Sequence, residues 1–284
     1  MRIDSHHHIW DLSVRPQTWL VGEAVQPVNR TFTLDDYRAA IAGTGIEKSV
    51  LVQTVMKYEE TPEFLEIAAD NELIAGVVGW LEVGAADALS HLDHYETLRG
   101  HEYLVALREV AHDIPDPEFL MQPQVIKNVR ALGERGYVYD LLTRTAHMPA
   151  AIELVRQAPD TQFVIDHISK PFIADGIMEP WAEMIKVLAA FPNTVCKISG
   201  LTVEAKWDGW KTADFRPYTD ILLEHFGPSR LMFGSDWPVS LLASTYPQVV
   251  SLAEELTNSL SPSEKEDFWS GTAIRAYGLD LGAK

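Results

Sequence analysis

The strongest constraint on the fold is a regular alternation between short apolar, β-branched segments and longer amphipathic ones. Eight of the short segments predict β-strands, and their starts lie about 25 to 47 residues apart, which fits βαβ units of about 30 residues or more. These predicted strands cover residues 2–8, 49–54, 74–83, 104–110, 137–142, 163–168, 194–200 and 231–238.

Eight strand–helix units predict an α/β protein with a parallel sheet, and the number eight favours a closed (β/α)8 TIM barrel. A doubly wound open sheet is the structural alternative. It usually has fewer strands, and no G-x-G-x-x-G motif follows the first predicted strand. The 284 residues fit one such barrel, and Pro and Gly are spread along the chain. We therefore expect residues 1–284 to form a single domain.

The segments between the strands carry helical signals. Residues 31–45 begin with a threonine cap signal and an acidic first turn and end at glycine. Residues 61–71 begin with Thr and Pro, the expected pair of cap and first-turn residues. Further helices are predicted at residues 149–158, 179–191, 213–226 and 245–260, and residues 261–279 predict an extra C-terminal helix under or beside the barrel.

Composition excludes several classes of function. The net charge is -18, with 41 acidic and 23 basic residues and no visible basic patch, which argues against a nucleic-acid partner. The single cysteine, Cys196, excludes an internal disulfide and a Cys-rich zinc motif. No run of about 18 apolar residues and no apolar leader occurs, so we expect a cytoplasmic protein without a membrane partner. A homo-oligomer stays open.

The first predicted strand ends in three consecutive histidines. Since successive side chains of a strand point to opposite faces, His6 and His8 share one face and His7 faces the helices. Two imidazoles on one face can chelate one metal ion. The remnant of a purification tag is the alternative, but the run continues a plausible strand and enters Ile9 and Trp10. The pattern therefore favours a site at the carboxyl end of the barrel, where barrel enzymes carry their functional residues.

Two other strands end in residues of the same kind. The sixth ends in Asp166 and His167, and the eighth ends in GSDWP, which contains Asp236. Together with His6 and His8 they provide three imidazoles and a carboxylate, a set that suits one divalent metal, Zn2+ above all, with an open position for water. Such an ion polarises a carbonyl or lowers the pKa of a bound water, and Asp236 is the candidate general base.

Candidate substrate-binding residues follow the same logic. Arg108 ends the fourth strand, where it either reaches a ligand or an acid, or pairs with Glu109 or Asp113 on the rim. Tryptophans at strand ends suit a sugar-like ligand, although plain packing explains any one of them equally well. The further candidates are Gln53, Trp80, Tyr139, Arg144 and Trp237, with Trp10, Lys197 and Ser199 in a second rank.

These residues lie in segments that carry a family resemblance. IDSHHHIW, VVGWLEV, YVYDLL, DHISKP, CKISGL and LMFGSDWPVSLL occur in this order between Arg2 and about Tyr277. The combination resembles the amidohydrolase superfamily, in particular the sugar-lactonase branch that contains L-fuconolactonase and L-rhamnonolactonase. The resemblance implies a (β/α)8 barrel that hydrolyses the lactone of a sugar acid to the open-chain acid.

The resemblance also implies roles for individual residues. The paired first-strand histidines correspond to His6 and His8, the strand-six histidine to His167, the general base to Asp236 and the substrate-contacting arginine to Arg108. The branch often has G-F-R-H around that arginine, whereas this chain has ALRE, a departure that concerns substrate identity. Some members work without a metal, and the carbamylated lysine of binuclear relatives has no counterpart on the fifth strand. A mononuclear or metal-free site is therefore favoured.

Three rival functions stay open at this point. A metal-dependent decarboxylase of an aromatic acid would use the same ligand set. A hydrolase of an amide, or of an aromatic-derived lactone such as a pyrone acid, would want two or more arginines, for which Arg108 and Arg144 are the evident candidates. A non-catalytic binding barrel would usually have lost one of the four site residues, all of which are present.

Overall fold

Eight parallel strands close into a barrel in the computed structural model, which describes residues 1–282. Each strand pairs with the next along the chain, in the order β1 to β8. Two backbone hydrogen bonds join the carboxyl end of β1 to the segment after β8: Asp236 N donates to His6 O at 2.8 Å, and His8 N donates to Trp237 O at 2.7 Å. The strands are β1 (Arg2–His7), β2 (Ile46–Val52), β3 (Ile74–Trp80), β4 (Leu104–Glu109), β5 (Val138–Leu141), β6 (Phe163–Ile165), β7 (Thr194–Ile198) and β8 (Leu231–Phe233).

The predicted barrel is confirmed, but several strands end earlier than the apolar pattern indicated. β6 ends at Ile165 and β8 at Phe233, whereas the predictions extended to residues 168 and 238. The physical reason is the backbone that follows: His167 has a φ of 50° and Asp236 a φ of 56°. A strand cannot continue through left-handed residues. The segments that follow the early ends of β6 and β8 carry His167 and Asp236, two of the candidate site residues.

Helices cover the outside of the barrel. They are α1 (Leu34–Ile41), α2 (Glu60–Ala69), α3 (Ala88–Tyr95), α4 (Pro123–Glu134), α5 (Met148–Gln157), α6 (Trp181–Ala190), α7 (Leu201–Glu204), α8 (Thr212–His225), α9 (Tyr246–Leu256), α10 (Pro262–Glu266) and α11 (Thr272–Tyr277). Within residues 1–282, the structure contains no helix long and apolar enough to cross a membrane.

Most helix predictions hold, with two differences. α1 begins at a capping box made by Thr33 and Asp36, as the threonine cap signal predicted. The predicted Thr-Pro cap of α2 is wrong, because the helix begins one residue earlier and Thr61 Oγ1 accepts a hydrogen bond from Trp80 N at 3.0 Å instead. α3, α4 and the short α7 were not predicted, although α4 buries Val125, Val129 and Leu132 at helical spacing.

The C-terminal segment closes the amino-terminal end of the barrel. α10 continues through one π-helical turn, Asp267–Gly271, into α11. Tyr277, at the end of α11, packs with Ile3 and Val50 in the apolar cluster inside the barrel. Its hydroxyl donates to Asp140 Oδ2 at 2.7 Å. The prediction of an extra helix packed against the barrel is confirmed.

A layer of four buried charges lies inside the barrel. Lys197 Nζ lies 2.7 Å from Asp140 Oδ2 and 2.9 Å from Asp166 Oδ1, while Arg108 Nη1 donates to Asp166 Oδ2 at 2.7 Å. The two cations balance the two anions, which is the condition under which buried charges are tolerated. Lys197 Nζ and Asp166 Oδ1 each lie 3.2 Å from His6 Nδ1, so the charged layer supports this histidine from inside the barrel.

Candidate active site

The histidine triplet divides by face, as the strand alternation predicts. His6 Nε2 and His8 Nε2 lie 3.2 Å apart on the side of the barrel mouth. His7 points the other way, stacks on the ring of Tyr37 at a centroid distance of 3.8 Å, and lies 3.0 Å from Ser49 Oγ through its Nε2 atom. His6 and His8 therefore belong to the candidate site, and His7 belongs to the packing between β1 and α1.

Asp4 anchors this end of β1, a role that the sequence reasoning missed. Its carboxylate accepts hydrogen bonds from Ser235 N at 2.8 Å, from Ser235 Oγ at 2.6 Å and from the hydroxyls of Tyr37 and Tyr246 at 2.9 Å each. The His6 amide also donates to it at 3.1 Å. Asp4 thus joins the first strand to the segment after the last, and fixes the distance between the histidines and Asp236.

His167 enters the site from a strained turn after β6. Four consecutive residues, His167 to Lys170, have φ between 49° and 58°, a conformation that costs roughly 1–2 kcal/mol per non-glycine residue. Gly200 makes room for the imidazole, since a Cβ at that position would lie 2.9 Å from His167 Nδ1. The Nδ1 atom is 2.8 Å from Ser199 Oγ, so Nε2 faces the mouth. Strain of this kind typically accompanies function.

Asp236 completes the set. Its Oδ1 atom is 3.4 Å from His8 Nε2 and 3.8 Å from both His6 Nε2 and His167 Nε2. A tetrahedral zinc ion with bonds of about 2.0–2.1 Å separates its ligand atoms by about 3.4 Å. The donor atoms of His6, His167 and Asp236 all lie within 4.8 Å of one another, so these three side chains fit a single divalent ion in both donor chemistry and spacing. His8 Nε2 lies beside them, 3.2 Å from His6 Nε2.

The protonation states suit this arrangement. Burial lowers the pKa of His6 and His167 well below the ordinary value, although the neighbouring carboxylates of Asp166 and Asp236 oppose the shift. Both imidazoles are therefore neutral and available as ligands or hydrogen-bond partners. Burial raises the pKa of Asp236, but His167 and His8 outweigh it, so the net shift is downward and the carboxylate is ionised at neutral pH.

The second nitrogen of each first-strand histidine is held from behind. His8 Nδ1 lies 2.8 Å from Val52 O, so it carries the proton and leaves the Nε2 lone pair toward the mouth. His6 Nδ1 lies 3.2 Å from both Asp166 Oδ1 and Lys197 Nζ. Asp166 was noted in the sequence only as a neighbour of His167. A charged residue directly after a buried apolar strand, at the carboxyl end of the barrel, was the signal that could have assigned it a role.

Comparison with known proteins identifies the family that shares this arrangement. The sequence matches the amidohydrolase family over residues 3–279, nearly the whole chain. The chain belongs to the amidohydrolase family. This confirms the family resemblance and the expectation of an enzyme.

Individual relatives of this amidohydrolase are similar along their full length. The L-fucono-1,5-lactonase of Burkholderia multivorans is 34% identical over 293 residues, which cover 98% of this chain and 96% of the relative. The L-fucono-1,5-lactonase of Burkholderia ambifaria is 31% identical with the same coverage. A crystal structure of an amidohydrolase from Burkholderia multivorans with bound zinc superposes with a TM-score of 0.90 at 34% identity, over 99% of this chain and 100% of that one.

Arg108 contacts three groups in this amidohydrolase, one of which is His6, whose Nε2 atom lies 3.5 Å from Arg108 Nη1. Nη1 donates to Asp166 Oδ2 at 2.7 Å and Nη2 donates to Gln53 O at 2.9 Å. Of the predicted alternatives, an acid is correct, but the acid is Asp166 and not Glu109 or Asp113. Glu109 instead accepts a hydrogen bond from Trp80 Nε1 at 2.8 Å.

A cavity of about 400 Å³ opens above the four site residues. His8, His167, Asp236 and Arg108 contribute to its lining, together with the tryptophans at positions 10, 19 and 207. Its volume suits a small molecule. Trp19 and Trp207 were not predicted because they lie in loops that follow the strands at a distance, beyond the strand ends on which the predictions relied.

The charged groups of the cavity lining balance. Three are cationic and three anionic: Arg108, Arg144 and Lys170 against Asp113, Glu204 and Asp236. Arg144 lies at the mouth of the barrel, as the sequence predicted, and its Nη1 atom is 3.9 Å from Glu204 Oε2.

Four predicted substrate contacts need correction. Gln53, Trp80, Tyr139 and Trp237 are at most 6% exposed, and the structure places them outside the cavity lining. Trp237 packs on Phe32 and Tyr139 on Phe163. A strand end alone did not indicate whether the side chain points into the mouth or into the surrounding packing.

Proposed function

We propose that this amidohydrolase opens the lactone ring of a sugar acid, an aldonolactone similar to L-fuconolactone or L-rhamnonolactone. The observation that carries the proposal is the ionised carboxylate of Asp236 facing three imidazoles at the base of a charge-balanced cavity. The L-fucono-1,5-lactonases that match almost the whole chain support it. The particular sugar is a separate part of the proposal, because residues 106–109 read ALRE where the sugar-lactonase branch often has G-F-R-H.

Charge balance favours a neutral substrate over the rival substrates. A pyrone acid or an aromatic acid carries carboxylates, which need unpaired cations for recognition. Here Arg108 is paired with Asp166, and Lys170 Nζ lies 3.2 Å from Glu204 Oε1. Arg144, with Nη1 3.9 Å from Glu204 Oε2, is the one loosely paired cation of the lining, whereas a pyrone acid would want two or more arginines. An aldonolactone is uncharged, and its hydroxylated ring suits tryptophan walls such as those of Trp10 and Trp19.

The residues of the chain supply the proton transfers. Without a bound metal, the lactone carbonyl is polarised by His6, His8 and His167, and Asp236 accepts a proton from a water molecule. The water oxygen bonds to the carbonyl carbon, the bond from that carbon to the ring oxygen breaks, and Asp236 returns the proton to the ring oxygen. The product is the open-chain hydroxy acid, which releases one proton at neutral pH. Arg108, through the part of its guanidinium that reaches the cavity, orients the lactone.

A divalent metal, Zn2+ by preference, is the cofactor we propose for this site. His6, His8, His167 and Asp236 would hold it, and when bound it would polarise the carbonyl and lower the pKa of the attacking water. The neutral imidazoles of His6 and His167 and the spacing of the donor atoms of His6, His167 and Asp236 support this assignment. His8 Nε2, 3.4 Å from Asp236 Oδ1, would be the fourth donor.

A panel of aldono-1,4- and aldono-1,5-lactones in weakly buffered indicator tests the proposal. We expect acid release with at least one six-carbon aldonolactone at a kcat/KM of about 10⁴ M⁻¹s⁻¹ or more, which is ordinary for an enzyme on its own substrate. Aromatic carboxylates should release no CO₂. Decarboxylation without lactone hydrolysis would contradict the proposal.

A further inference from the structure

We propose that the Lys170–Glu204 ion pair in the cavity wall binds adjacent hydroxyl groups of the substrate, and so makes the enzyme select hydroxylated lactones over plain ones. The inference deepens the proposed lactonase function and rests on it. Neither residue belongs to the group of four at the base of the cavity, and neither was a candidate from the sequence.

The two side chains come from neighbouring strand ends. Lys170 follows β6 and Glu204 ends the short helix α7 after β7. Lys170 Nζ lies 3.2 Å from Glu204 Oε1, and the side chains are only 14% and 17% exposed. Both line the same cavity as His167 and Asp236. The pair is therefore a partly desolvated group inside the cavity, where polar contacts count for more than at an open surface.

The backbone ties Lys170 to the reacting end of the cavity. It is the fourth of the left-handed residues that begin with His167, with φ 49° and ψ 67°, and its amide donates to His167 O at 2.8 Å. The turn is held by Trp181 Nε1, which donates to Ile168 O at 2.6 Å, and by Thr143 Oγ1, which donates to Ser169 Oγ at 3.0 Å. The strained turn that aims His167 therefore also fixes the backbone from which the Lys170 side chain reaches Glu204.

The chemistry of the pair matches a diol. An ammonium group has three donors and a carboxylate about four acceptor sites, so each keeps free capacity after pairing with the other. Two adjacent hydroxyls can accept from Lys170 and donate to Glu204, and hydrogen bonds to charged groups are the stronger kind. A ring without hydroxyls would cover the pair and leave these sites unsatisfied, which is how polar sites reject analogues.

A substrate carboxylate fits the pair less well. Glu204 already neutralises Lys170, and Arg144 Nη1 approaches the other carboxylate oxygen only to 3.9 Å. An anionic substituent next to Lys170 would also lie next to the negative charge of Glu204, since the two groups are 3.2 Å apart. The geometry therefore points to neutral hydroxyls as the bound groups.

The test compares two lactones in three variants. kcat/KM is measured for the best six-carbon aldono-1,5-lactone and for δ-valerolactone, which has the same ring without hydroxyls. Lys170→Met and Glu204→Gln should each lower the ratio of the two values at least tenfold. Lys206→Met, an exposed lysine outside the cavity lining, should keep the wild-type ratio. If δ-valerolactone binds but is not hydrolysed, the reciprocal of its inhibition constant takes the place of its kcat/KM in the ratio.

Each outcome decides the inference. A ratio that falls less than tenfold in either variant overturns it, whether the rates on both lactones fall together or not at all, because a structural or general catalytic role would affect both lactones alike. Failure of the wild-type enzyme to hydrolyse any lactone would instead contradict the proposed function. The two failures are therefore distinguishable.

Discussion

At the residue scale, the histidine triplet shows how far the sequence reasoning reaches. Alternation along β1 separated His7 from His6 and His8, and the structure places the three as that alternation predicts. What alternation could not show is that His7 is fully buried, since its partners Tyr37 and Ser49 come from elements distant in the sequence. A local pattern gives the direction of a side chain, whereas its contacts depend on how the elements pack.

Replacing His7 should therefore affect stability and not the chemistry. His7→Ala removes a stacked ring and a hydrogen bond to Ser49, so we expect the free energy of unfolding to fall by about 1–3 kcal/mol. The kcat of the folded fraction should stay within about threefold of wild type, while His6→Ala and His8→Ala lose most of the rate. Urea denaturation combined with lactone assays measures both. A His7→Ala enzyme of undiminished stability whose rate falls like that of His6→Ala would contradict this assignment.

At the scale of elements, the strand ends were the least predictable part of the fold. Apolar composition identified all eight strands, but it could not reveal where left-handed residues end β6 and β8. The same limit affected the site. Strand ends indicated four residues that the structure brings together, three of which line the cavity, yet Trp80 and Tyr139 at equivalent ends lie outside its lining. The long-range contacts of Asp166 and Lys197 inside the barrel depend on register between strands, which a single sequence does not state.

The junction between β3 and β4 should make stability depend on pH. Burial raises the pKa of Glu109 to about 7 in the folded protein, although hydrogen bonds from Trp80 and Val110 oppose the shift. The folded state therefore binds this proton more tightly than the unfolded chain, and the stability contributed by protonation is lost as pH rises from about 4.5 to about 7. Glu109→Gln keeps an acceptor for Trp80 and should remove roughly 1–3 kcal/mol of this pH-dependent loss.

Chemical denaturation at pH 5 and pH 8 measures that effect. Glu102→Gln, at an exposed position just before β4, is the matched control and should retain the wild-type slope. If the free energy of unfolding changed equally between pH 5 and pH 8 in the Glu109→Gln and wild-type proteins, the raised pKa of Glu109 would be contradicted.

At the scale of the whole molecule, a strongly acidic protein surrounds a charge-balanced cavity. The net charge of -18 lies mostly outside the cavity, whose lining carries three cations and three anions. Composition alone argued only against anionic partners. The pairing of individual charges, which only the structure shows, turns that argument into a preference for a neutral ligand.

The proposed metal should stabilise the whole molecule. A ligand that binds only the folded state raises the free energy of unfolding by about 2.7 kcal/mol at a hundred times its dissociation constant. After chelation, zinc should therefore raise the melting temperature by several degrees and restore lactone hydrolysis. In the His6→Ala variant the temperature shift should be lost. Full activity of the chelated enzyme, with no thermal response to zinc, would contradict the proposed cofactor.

The most direct test of the account is the rate of Asp236→Asn on the best lactone of the panel. Loss of the general base should lower kcat about 10²–10⁴-fold, while the circular dichroism spectrum keeps its wild-type form. Asp160→Asn, at an exposed position in the loop before β6 and outside the cavity lining, should retain the wild-type rate. A folded Asp236→Asn enzyme that hydrolyses the lactone at nearly the wild-type rate would contradict the central claim that this carboxylate activates the attacking water.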